Sequence, residues 1–207
     1  MTSPRDSDRG SGPGECTGVN LLLYNEFDPA HEEQLLTTAL GLEHDLDDGI
    51  VVVDTHGNWE RTSKYQELAK AEAVCLITTD DEQIPVSHPF HSVHVAADLT
   101  DIGIGMVSAF ETLDGANVRV VFESVSDLIE TTDEEAVFSF LQLITERVRV
   151  GGHFGLFTCD PSRHAPSTVA TIESLFDDVV TQARVKSQER KQLNMLLKEA
   201  NSGSEQR

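Results

Sequence analysis

Basic side chains are scarce in this chain. Fifteen Lys plus Arg stand against 36 Asp plus Glu in 207 residues, a formal net charge of −21. Such a body repels a polyanion, which excludes a protein that coats nucleic acid through a general basic surface. Cysteine is almost missing as well. Cys16, Cys75 and Cys159 are odd in number and too far apart for a C-x-x-C metal or redox spacing, which fits a reducing compartment and predicts a cytoplasmic protein. Long apolar runs are absent: no stretch approaches the roughly 18 to 20 apolar residues that a bilayer requires, and the amino terminus has no apolar signal core. Neither a membrane span nor secretion by that route is expected.

What is present is enough for a core, because 39% of the residues are apolar, whereas a solvating acidic polymer would hold few. An acid excess of this size keeps a surface hydrated where salt screens its self-repulsion, and it reads as salt adaptation.

The composition changes twice along the chain. Residues 1–18 (MTSPRDSDRGSGPGECTG) are rich in Ser, Gly and Pro and read as a disordered leader. Short apolar runs then alternate with amphipathic segments: 19–24 (VNLLLY), 50–55 (IVVVDT), 74–79 (VCLITT), 92–97 (SVHVAA), 118–123 (VRVVFE) and 154–159 (FGLFTC). Continuous runs of this length predict strands buried on both faces, as in a mostly parallel sheet.

Helix signals lie between the runs. Asp28 before Pro29 offers a cap and a first-turn proline ahead of Leu35, Leu36, Ala39 and Leu40. Ile102, Met106, Phe110 and Leu113 keep helical spacing, with Gly103 and Gly105 weakening the first turn. Thr132 with Glu135 reads as a capping box before Val137, Phe140, Leu141, Ile144 and Val148. A short helix is expected from about Ser167, carrying Val169, Ile172 and Phe176, and residues 178–182 (DVVTQ) are expected to add a strand. The alternation predicts right-handed crossovers, a three-layer α/β domain over 19–182, and any ligand at the carboxyl ends of the strands.

Within 98–180 the signals fall in a particular order: an apolar strand ending in Glu123 and Ser124, the helix AVFSFLQLITERVR at 136–149, and a strand ending in Asp160 and Pro161 before His164. This order resembles an uncharacterised haloarchaeal family related to the RecA and KaiC ATPases. The resemblance implies a RecA-like (P-loop NTPase-like) core in which the first strand leads into a phosphate-binding loop. Such a loop needs glycines that free backbone N–H groups for phosphates, a Lys to meet their charge and a Ser or Thr for Mg²⁺. Here the sequence is YNEFDPAHEEQLLTT, with no Gly between Leu23 and Gly41 and no Lys between Leu23 and Lys64, and with Glu26, Asp28, Glu32 and Glu33 instead. Glu123 and Ser124 then stand as a vestigial Walker B-like pair, the cofactor-binding position that the resemblance implies. Glu takes the place where the relatives carry Asp.

Other constellations have bland readings beside them. His88, His91 and His94 (HPFHSVH) invite a metal, but an extended chain puts His91 opposite the other two, and Pro89 excludes a helix that would gather them. Gly103, Gly105 and Ser108 approximate a dinucleotide loop without its third glycine, and helix-on-sheet packing is the alternative. Cys159 with His153 or His164, and Ser124 with His164 and Asp160, lack any G-x-S-x-G elbow, so no catalytic residue, metal or cofactor is expected.

Residues 183–207 form a third piece, with six basic residues against three acidic ones, whereas 19–181 holds seven against thirty. Helical spacing would align Leu193, Leu196, Leu197 and Ala200, so this basic amphipathic tail is expected to meet a protein partner, the chain's own acidic body or an anionic surface. Taken together, the sequence predicts a non-catalytic RecA/KaiC-like regulatory or interaction protein of a salt-adapted archaeon. The alternative is a nucleotide-binding ATPase with a phosphate loop rebuilt around 24–33, for which Arg163 is the basic residue near a strand end. A DNA-associated accessory role is opposed by the acidic core.

Overall fold

The computed structural model describes residues 18–26, 35, 49–55, 74–79, 90–94, 98–113 and 117–182. The expectations for 1–17, for the phosphate-loop segment beyond Glu26, for His88 and for the 183–207 tail lie outside these residues, as do the side chains of His91 and His94. Seven strands are described: β1 (Val19–Tyr24), β2 (Gly49–Asp54), β3 (Val74–Thr78), β4 (Phe90–His94), β5 (Val118–Glu123), β6 (Phe154–Cys159) and β7 (Asp178–Val180). All pair in parallel in the order β4-β3-β2-β5-β6-β1-β7. β2, β3, β5 and β6 are buried at every position, which is why their sequences run apolar without alternating. β4 starts two residues before the expected 92–97 run, at Phe90 directly after Pro89, because a proline can precede a strand but cannot donate within one.

Four α-helices are described: α1 (Leu99–Thr112), α2 (Val125–Thr131), α3 (Glu134–Val150) and α4 (Pro166–Glu173). The Asp98 carboxylate caps α1 by accepting from Asp101 N at 2.9 Å. Gly103 and Gly105 lie inside this helix, so the dinucleotide-loop reading of that stretch fails and the packing alternative holds: Gly105 is buried, and a Cβ on Gly103 would sit 3.7 Å from the Phe140 ring. The expected capping box at Thr132 is displaced by one residue. Asp133 is the cap of α3, its Oδ1 accepting from Glu135 N and Ala136 N at 3.1 Å each, while Thr132 N donates to Leu128 O and closes α2. That short helix was not foreseen, and it takes Thr132 for its own end. Pro166 opens α4 at the first turn, one residue before the expected Ser167; Phe176 falls beyond the helix and packs edge-on against Phe157, centroids 5.1 Å apart.

One cluster holds the core together. Leu22, Val51, Val53, Ile77, Val120, Phe122 and Phe157 of the sheet meet Ile102, Met106, Leu128, Val137, Leu141, Ile144 and Ile172 of the four helices. Each such side chain, fully buried, contributes about 1.5 to 3 kcal/mol. Leu21, Leu23, Ile50, Val52, Leu76, Val121 and Leu156, at the alternate positions of the same strands, are buried too. Among the described residues, no helix is long and apolar enough to cross a membrane.

The topology also marks a crevice. β2 and β5 are neighbours, but the chain leaves β2 toward β3 on one side and leaves β5 toward β6 on the other. Where adjacent strands part in this way, an open parallel sheet has its usual ligand position, beyond the carboxyl ends.

Candidate functional site at the carboxyl edge

The register brings two acids to that place. Asp54, the last residue of β2, pairs with Glu123, the last of β5, and on its other side with Thr78 of β3. Asp54 and Glu123 are 3% and 4% exposed, so both carboxyl groups are held inside protein rather than facing solvent. Glu123 and Ser124 therefore do occupy a strand end, as the sequence implies, but buried, and with a second acid from β2 that the sequence reading did not single out. Its signal was present, since IVVVDT and VRVVFES both end an apolar run in an acid followed by a hydroxyl.

Thr55 joins the two strands. Its backbone N donates to Glu123 O at 2.7 Å, and its hydroxyl accepts from Ser124 N at 2.9 Å. The single hydroxyl proton goes to Glu123 O at 3.0 Å, with Ser124 O and Asp127 Oδ2, both at 3.4 Å, as longer alternatives. Thr79 extends the lacing to β3, its hydroxyl donating to Thr55 O at 3.1 Å. The Glu123–Ser124 peptide is cis. The hydroxyl of Ser124, 2% exposed, finds no hydrogen-bond partner among the described residues.

The β6 end is tied down by α2. Ser126 Oγ accepts from Asp160 N at 2.8 Å and lies 3.5 Å from Cys159 Sγ. Burial pushes the Cys159 thiol above its ordinary pKa, with Ser126 opposing, so it is kept a thiol and not a nucleophilic thiolate. His153, one proposed partner for this cysteine, sits at the other end of β6, where its ring stacks on Phe110 and its Nδ1 accepts from Val118 N. Asp160 caps the 3-10 turn Pro161–Arg163 and accepts from Ser162 N and Oγ at 3.0 and 2.6 Å. It is Ser126, not Ser124, that reaches this strand end. No hydrolase-like set forms among the described residues.

Two further contacts use up polar groups near β1 and β6. The Tyr24 phenol donates to Glu173 of α4, and burial followed by that carboxylate pushes its pKa upward. Arg163 donates from Nε to Glu130 at 2.8 Å, meets the same carboxylate through its second nitrogen, and lies 3.0 Å from Asp127. The hydrogen bond to Glu130 raises the pKa of the guanidinium, and the same bond holds Glu130 below its ordinary range.

Asp54, Glu123 and the unpartnered Ser124 hydroxyl are the groups that could hold a divalent cation. No group of three or more His, Cys, Asp or Glu suited to a metal exists among the described residues. A triphosphate fits less well. Among the described residues the arginine at this edge, Arg163, is already bound by two carboxylates, and phosphate recognition needs a cation free to fork onto it.

Comparison with solved structures bears on the fold. A protein from a structural study of Pyrococcus horikoshii OT3 superposes with a TM-score of 0.57 at 13% identity, covering 81% of this chain and 84% of its own. A KaiC-like protein from the same organism superposes with a TM-score of 0.51 at 12% identity, covering 80% and 71%. At such identities the likeness shows the fold alone, and that fold is α/β and RecA-like, as the order of motifs implied. No curated protein matches the sequence. The profile of a family of unknown function, DUF7504, matches residues 18–182.

Proposed function

This chain belongs to the DUF7504 family, and we propose that it uses its RecA-like scaffold without hydrolysing ATP, as a regulatory or protein-interaction module of a salt-adapted archaeon. The observation that carries the reading is the state of Arg163. Its guanidinium is spent on Asp127 and Glu130 at an edge where an ATPase would present a cation to phosphate. The sequence after β1 adds no substitute, since Asn25 and Glu26 follow Tyr24 where glycines and a lysine are required. Thr55 adds to this by filling the crevice between β2 and β5 with bonds internal to the protein. The degenerate phosphate loop, the haloarchaeal origin and the cytoplasmic location are parts of this proposal, as is a protein partner reached through Leu193, Leu196 and Leu197 of the tail.

A second reading, a nucleotide-binding protein with a rebuilt loop, is favoured by the buried, unpartnered Ser124 hydroxyl beside Glu123. Calorimetric titration with ATP and Mg²⁺ in molar KCl separates the two. Each missing charge-assisted hydrogen bond costs about 1.5 to 3 kcal/mol, so the expected outcome is no micromolar binding. Arg163→Ala is expected to leave that result unchanged. Micromolar binding that weakens in Glu123→Gln would establish the second reading.

A further inference from the structure

Four large apolar side chains stand in solvent among the described residues, and all four belong to two adjacent helices. Ile104 and Val107 of α1 are 63% and 46% exposed; Leu143 and Val150 of α3 are 69% and 75% exposed. The helices meet where Gly103 faces Phe140. Helical spacing places Val107 one turn beyond Gly103 with Ile104 beside it, and places Leu143 and Val150 on the flank of α3 that Phe140 begins. A single exposed Leu needs no explanation, whereas an apolar strip shared by two helices marks a contact surface.

The charges around the strip are mostly carboxylates. α1 brings Asp101 and Glu111, and α3 brings Glu135 and Glu146. Arg149 is occupied by Glu146 at 3.0 Å and Asp177 at 3.3 Å, which leaves Arg147 as the cation beside Val150. An occupant of this seam has to be apolar along one side and basic along its edges.

We propose that the occupant is residues 183–207 of the same molecule, lying along the α1–α3 seam in cis. This segment has the required chemistry: helical spacing would align Leu193, Leu196, Leu197 and Ala200, and Arg184, Lys186, Arg190, Lys191 and Lys198 supply positive charge to a body that lacks it. Its attachment point is also within reach. α1 packs over β2 and β3, and α3 over β1 and β6, so the seam lies above β5. β7, which precedes the segment, is three strands away from β5, about 14 Å at ~4.8 Å per strand. Residues 183–192 alone extend to roughly 33 Å, which covers that span and the rise to the helix layer.

Docking in cis occupies the leucines that the proposed partner would engage, so the two states are alternatives, and docking is tested on the free protein without nucleotide or partner. In full-length chain carrying Cys16→Ser, Leu143→Cys and Leu196→Cys, a short bismaleimide is expected to give an adduct at monomer mass linking residues 143 and 196. Absence of that link, or links found only between molecules, would overturn docking in cis. Carbene footprinting supplies an independent reading on variants outside the described core. In Leu196→Asp/Leu197→Asp, labelling of Ile104, Val107, Leu143 and Val150 is expected to rise several-fold. Labelling equal to that of the unaltered chain sinks the proposal, and labelling that depends on protein concentration assigns the strip to a second copy instead.

Discussion

At the carboxyl edge of the sheet hydroxyls and carboxylates join the strands; at the amino edge backbone bonds and packed rings do so, together with Asn20, whose N donates to Asp177 Oδ2 at 2.7 Å and whose Nδ2 donates to Thr145 O at 2.9 Å. Thr55, Thr79, Ser126 and Arg163 do the joining at the first edge. At the second, Gly18 N donates to Arg149 O, Val19 N to His153 O and His153 N to Val148 O, while the His153 ring lies against Phe110 at 5.2 Å. The two edges differ in slack. Each edge holds a buried polar atom with no hydrogen-bond partner among the described residues, Ser124 Oγ at the first and Asn20 Oδ1 at the second, but the amino edge has no room at Gly18, where a Cβ would lie 2.3 Å from Val148 O and 2.4 Å from His153 O. Spare hydrogen-bonding capacity serves a ligand or a partner only where there is room for one. A close-packed edge can only hold the fold.

The largest effect is expected from breaking the packed edge. Gly18→Ala drives a methyl into two backbone oxygens that cannot move without shifting α3 and β6, and overpacking of this kind costs about 3 kcal/mol. Denaturant unfolding should show the loss in its midpoint, and a midpoint near that of the unaltered protein would mean that this edge also has slack. The polar edge should yield less. Thr55→Val keeps the shape but strands Ser124 N and removes a donor to Glu123 O, for which about 2 kcal/mol is expected. A loss equal to that of Gly18→Ala would erase the contrast.

A smaller effect separates the two helices that follow β5. Asp133→Ala removes the acceptor of two first-turn N–H groups and should cost about 1 kcal/mol, while Thr132→Ala, which keeps its backbone bond to Leu128, should cost less. The reverse order in thermal unfolding would return the cap to Thr132.

The smallest expected effect is a pH dependence confined to the packed edge. Burial, aided by Arg147, holds the His153 pKa below its ordinary value of about 6.5, and its Nδ1 must stay unprotonated to accept from Val118 N. The unfolded chain therefore takes the proton first, so this contribution is complete above about pH 6.5 and is lost as the pH falls below it. His153→Gln should reduce the loss of stability between about pH 7 and 5.5. An identical slope in both proteins would show that other groups carry it.

The sequence by itself determined the strands and the class of fold. Five of the expected runs, at 19–24, 50–55, 74–79, 118–123 and 154–159, lie within one residue of β1, β2, β3, β5 and β6, because a strand buried on both faces must be apolar throughout and that composition is local. α3 was equally legible, since six buried positions over seventeen residues set a clear period. α2 was not: seven residues with Val125 and Leu128 as their buried apolar positions do not complete a period, and its end then decided which of two adjacent capping residues would serve α3. Only the tertiary structure decided the candidate site. Glu123 was readable as a strand-end acid, but Asp54 stands opposite it because β2 pairs with β5 in that register, across 69 residues of chain. The same holds for Arg163, which the sequence left as a cation near a strand end and which the packing of α2 against β6 places between Asp127 and Glu130. Periodicity records which face of an element is buried; it carries no record of which elements become neighbours, and the chemistry of this edge is made entirely between neighbours.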